Sequence, residues 1–128
     1  MPEPSPSWMI VFRYGILPSL STNALRFLQH CLATNDKRLI QKETTQPQKP
    51  DEPCSHACLL ALPVWLKHPA PTVAEAEDYF HWLCCETDNK IGEPASTRYF
   101  LNWFDDTPRE EMRAKLLPIV NETINDRA

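Results

Sequence analysis

From Ser21 onward an apolar residue returns every three or four positions: Leu25, Leu28 and Leu32, with Ala24, Phe27 and Cys31 beside them. That is the spacing of a helix with one buried face, and it predicts a helix over 21 to 34. Thr72 and Glu75 then form a T-x-x-E capping box ahead of Val73, Ala76, Phe80 and Leu83, which line one side of a second helix. Gly92 is its natural stop, because glycine accepts the left-handed conformation that ends helices. Glu93-Pro94 suits the opening of a third helix over 94 to 105, since proline at the first helical position loses no needed hydrogen bond. Thr107-Pro108-Arg109-Glu110 repeats the capping chemistry, and Met112, Leu116, Val120 and Ile124 follow at intervals of four. The last helix is therefore expected over 108 to 125, bent at Pro118.

Between these segments the pattern is less regular. Residues 1 to 7 hold three prolines and read as a mobile tail. Trp8 to Leu17, with Val11, Phe12, Tyr14 and Ile16, reads as a short strand or an extended arm laid on helices. The stretch 41 to 53 is polar, carries three prolines and lacks apolar periodicity, so it is expected to be a long connecting loop. Cys54 to Leu62 is unbroken and helix-compatible, with Pro63 ending or kinking it. The expected fold is mainly α: one domain over 1 to 128, an irregular bundle of four or five helices with an extended N-terminal arm and a long Pro-rich loop.

Composition narrows the function classes. Hydrophobic residues make up 42% and charged residues 23%, enough apolar material for one packed core. Gly15 and Gly92 are the two glycines, so neither a Walker A loop nor a dinucleotide fingerprint can be built. The longest apolar stretch, Ala57 to Leu66, contains Pro63 and falls short of the roughly 20 residues a membrane helix needs. The acidic, proline-containing start does not resemble a secretory signal, which places the expected mature start near Met1. Five cysteines, an odd number with Cys84 and Cys85 adjacent, make a poor disulfide framework and point to reduced thiols in the cytoplasm. Asn121-Glu122-Thr123 matches a glycosylation acceptor but falls inside a predicted helix, and is read as coincidence.

Three constellations carry chemistry. Cys54, Cys58, His81 and Cys84 are residue types that bind zinc, and ligands one helical turn apart share a face; against this, free cysteine is often an ordinary small core residue. Zinc is the one cofactor this set suggests. Asp78, His81 and Cys85 can also be read as acid, base and nucleophile, although three groups along one helix rarely create an oxyanion site as well. Asp105, Asp106, Glu110 and Glu111 gather around a helix start, where carboxylates complement the helix dipole and need no substrate.

Charge divides as +2 over residues 1 to 68 and −6 over 69 to 128, for a net −4. Lys37, Arg38, Lys42 and Lys49 concentrate basic charge on the loop and suit contact with phosphate or an acidic surface. The acidic overall balance disfavours nucleic acid as the main partner, leaving an accessory role in a nucleic-acid complex as one alternative. The aromatic load of two neighbouring helices is a further feature: Tyr79, Phe80 and Trp82 on one, Tyr99, Phe100, Trp103 and Phe104 on the other. These span more than one core-facing stripe, so either the N-terminal arm and last helix cover them or a partner does. The sequence thus favours a non-enzymatic interaction module or small accessory subunit. It would associate with itself or another protein through Tyr79, Trp82, Tyr99 and Trp103, away from membranes; a zinc-stabilised Cys/His protein is the other alternative.

Overall fold

A computed structural model describes residues 7 to 128. The predicted tail falls outside the described residues except for Ser7, whose hydroxyl accepts from the Ile10 N–H and caps the first helix. The fold is mainly helical, an irregular bundle. Its elements are α1 (Trp8–Val11), α2 (Thr22–Thr34), α3 (Val64–Lys67), α4 (Val73–Ile91), α5 (Thr97–Asp106) and α6 (Arg109–Arg127). A two-residue antiparallel pairing joins β1 (Thr45–Gln46) to β2 (His56–Ala57).

Local signals account for the long helices. Ser21 caps α2 by accepting from the Ala24 N–H, and Asn35 ends it at φ +56°. Thr72 and Glu75 close both bonds of the capping box at the start of α4, and Gly92 ends that helix at φ +83°. In α6, Met112, Leu116 and Val120 are buried as their spacing requires, and Pro118 lies within the helix. α2 packs on α6, and arginines at the start of α6 satisfy the end of α2. Arg109 donates to the Leu39 carbonyl (2.6 Å), to the Asp36 carbonyl (2.9 Å) and to Asn35 Oδ1 (2.6 Å). Arg113 donates to the Leu32 and Ala33 carbonyls. Cations at a helix C-terminus are favoured by the dipole as well as by these bonds.

Four expectations are corrected. The segment from Trp8 is helical, not extended: α1 runs into a π-helical stretch (Phe12–Ile16) and a 3₁₀ turn (Leu17–Ser19). This stretch packs against α4 through Gly15, where an added Cβ would lie 2.7 Å from Thr87 Cγ2 and 2.9 Å from Ile91 Cγ1. Cys54 to Leu62 is not a helix but β2 followed by tight turns, buried on all sides from Ala57 to Leu62. Pro94 lies in a turn, and α5 begins at Thr97, where the Asp88 carboxylate accepts from the backbone N–H and the hydroxyl of that residue (2.9 and 2.7 Å). Thr107 does not cap α6; its hydroxyl donates to the Trp103 carbonyl at the end of α5.

Candidate functional site: an open aromatic cleft between α3 and α4

The aromatic residues of α4 and α5 separate into two clusters. On α5, Phe100 and Phe104 are fully buried, and Trp103 is half-buried with the Trp8 ring stacked on it at 3.7 Å and 9°. Phe12 stacks on Phe100 at 5.1 Å beneath. The N-terminal helical segment therefore covers this cluster from within the chain. Tyr99 is half-buried at its margin, with the Arg98 guanidinium 4.4 Å from its ring centroid and bonded to its hydroxyl.

The second cluster is open. Tyr79 and Trp82, one turn apart on α4, converge at 5.5 Å with their planes tilted by 54°. Trp82 remains 45% exposed. Together with Val64, Lys67, His68, Glu75 and Asp78 they line a cavity of about 240 Å³. Short α3 and the turn after it form the opposite wall. From that wall the Lys67 ammonium reaches over both rings, 5.5 Å from the Tyr79 centroid and 5.7 Å from that of Trp82. His68 Nδ1 lies 3.0 Å from Glu75 Oε2, tying the two walls together. Burial of the Tyr79 phenol pushes it up to about 12. The backbone N–H of Thr72 bonds the Glu75 carboxylate and holds it below the usual carboxylate range. The sequence marked Tyr79 and Trp82; it carried no signal for Lys67, which reaches the rings from the separate helix α3.

Of the basic loop residues, Arg38 and Lys49 face acidic neighbours. Arg38 forms a two-point bond to Asp36, whose carboxyl it holds down at about 2, and lies over the rings of Phe27 (5.2 Å) and Trp65 (5.4 Å). Lys49 faces Glu52 at 3.9 Å, and the Lys42 backbone N–H donates to Asp105 Oδ1. Lys37 is exposed.

Cys54 and Cys58 do not share a helix face, because their segment is β2 and turns. Among the described residues no three His, Cys, Asp or Glu side chains are grouped to hold a metal ion. Cys54 Sγ donates to the His56 carbonyl (3.2 Å), whereas His81 is exposed with its ring edge-on to Phe80. Burial pushes the thiols of Cys58 and Cys84 up to about 12, which disfavours the thiolate that a nucleophile needs. All five cysteines are free thiols. Of the four acids near the last helix, Asp105 and Asp106 close α5, and Glu110 pairs with Arg113. No helix is long and apolar enough to cross a membrane among the described residues. Comparison with protein-family models, curated proteins and solved structures finds no match to this chain.

Proposed function

We propose that this protein is a non-enzymatic interaction module or small accessory subunit. It would engage another protein through the Tyr79–Trp82 cleft, in a reducing compartment such as the cytoplasm. The observation that carries this reading is the 45% exposure of Trp82 in a cleft whose other wall is only the four-residue α3 and the turn after it. Tryptophan and tyrosine dominate the energetics of protein interfaces, because they bury large areas while losing few rotamers. Leu66, beside Lys67 in sequence, is a further exposed apolar residue of α3, at 48%. Trp103, paired internally with Trp8, offers a partner less.

A photo-crosslinking amino acid at position 66, expressed in cells of origin, tests the reading, with adducts identified by mass spectrometry. One specific adduct is expected, strongly reduced by Trp82→Ala at unchanged circular dichroism. An adduct to a second copy of the chain would make the association a homo-oligomer. Yield unaffected by Trp82→Ala, or no specific adduct, would remove this cleft as the contact surface.

A further inference from the structure

We infer that the cleft recognises an ammonium group, the side chain of a lysine or N-methylated lysine in a partner polypeptide, with Lys67 occupying the same place until the partner arrives. This rests on the association proposed above and specifies its chemistry. Tyr79 and Trp82 meet at 54°, so two ring faces, each carrying the negative side of an aromatic quadrupole, bound one corner. A corner of this kind attracts a cation without hydrogen-bonding it, and suits an ammonium whose N–H groups are partly or wholly replaced by methyls. The structure already contains a cation there: Lys67 Nζ lies nearly equidistant from the two centroids, at 5.5 and 5.7 Å. Among the described residues its ammonium has no carboxylate within ion-pairing distance, so the rings are its main contact.

Charge around the corner agrees. Glu75, Asp78, Tyr79 and Trp82 fall at intervals of three, one and three along α4, which places two carboxylates on the same face as the two rings. Glu75 is engaged by Thr72 and His68, whereas Asp78 is exposed and makes no hydrogen bond or ion pair among the described residues. Asp78 is thus available to an arriving cation. Lys67 is the last residue of α3 and is followed by His68, Pro69, Ala70 and Pro71, with 68 to 70 exposed. Its flexible stem can leave the rings without disturbing the core. Exchange of one ammonium for another leaves the net charge of the corner unchanged, and partner selection then comes from methylation and from neighbouring contacts.

The test uses three small probes on the full chain: blocked lysine, blocked trimethyllysine, and the neutral analogue in which carbon replaces the quaternary nitrogen. Binding is followed by the Trp82 indole N–H resonance, assigned with Trp82→Phe. Trimethyllysine is expected to bind about fivefold or more tightly than the neutral analogue, and Lys67→Met, which keeps the stem, should strengthen binding several-fold by removing the competitor. Equal binding of the neutral analogue would overturn the charge argument and leave an apolar docking cleft. No Trp82 shift with any probe, in wild type and in Lys67→Met alike, would overturn it too. Neither result removes a Trp82-dependent cross-linked adduct, which alone decides whether the cleft is a contact surface.

Discussion

The two aromatic clusters are built from the same residue types, yet one is sealed and the other open. On α5, Trp103 meets Trp8 face to face, with Phe100 and Phe12 stacked beneath. On α4, Tyr79 and Trp82 meet each other and a lysine, with Tyr79 also packed against the core and Trp82 left exposed. The difference lies in what crosses each one: a helical N-terminal segment passes over the first, while the second faces four residues of α3 and a proline-rich turn. Aromatic density alone does not mark an interface. The informative property is whether the chain has spare helix with which to cover it.

The largest way to break this contrast is Trp103→Ala. It removes a half-buried ring and strips Trp8 of its stacking partner, so a loss of about 2–4 kcal/mol in denaturant unfolding is expected. A change within about 0.5 kcal/mol, the scale of an exposed site, would mean that the cluster is not sealed. The next is Gly15→Ala. The new methyl would press on Thr87 Cγ2 and Ile91 Cγ1, and Thr87, β-branched and fully buried, has little room to yield. Overpacking of this kind costs about 1–3 kcal/mol, less what alanine gains over glycine within a helix. Because Gly15 seats the segment that carries Trp8, the same variant should raise Trp8 mobility and acrylamide quenching of tryptophan fluorescence. A melting point and quenching identical to wild type would show that the segment is not held at Gly15.

The sealing of α5 was hidden from the sequence for a specific reason. Val11, Phe12, Gly15 and Ile16 are buried at a helical spacing, but the run from Trp8 to Leu17 is short, holds Arg13 and Gly15 within it and ends at Pro18, so its apolar positions do not by themselves separate a helix from an extended arm. Helices α2 and α4 were legible because their caps and periodicity lie within one or two turns of sequence, and α6 because of its periodicity. The run Ala57 to Leu62 was not, since a segment buried on every side carries no polar positions from which to read a period. α5 starts late because its capping carboxylate, Asp88, comes from the preceding helix. At the cleft, the spacing of Tyr79 and Trp82 was visible; the ammonium above them was not, because Lys67 belongs to a separate short helix whose packing on α4 leaves no local mark in the sequence.

The smallest expected effect asks how open the cleft is at its floor. The Tyr79 phenol, raised by burial to about 12, is neutral in the folded chain over a range where an unfolded tyrosine ionises. Its contribution to stability is therefore complete below the ordinary value near 10 and is lost as the pH climbs from there through about 12. Tyr79→Phe has nothing to ionise, and its stability should fall less steeply over that window, by about 1 kcal/mol once partial exposure is allowed for. The raised thiols of Cys58 and Cys84 also favour unfolding at alkaline pH, but they are present in both proteins and cancel in the difference. Urea unfolding of the two proteins at pH 9 and pH 11 reads the effect directly. Superimposable behaviour would mean that water reaches the phenol, so that an arriving ammonium would share the Tyr79 face with solvent and draw most of its attraction from Trp82. A measured difference instead makes Tyr79 a dry wall of the corner, where attraction between ring and cation is strongest.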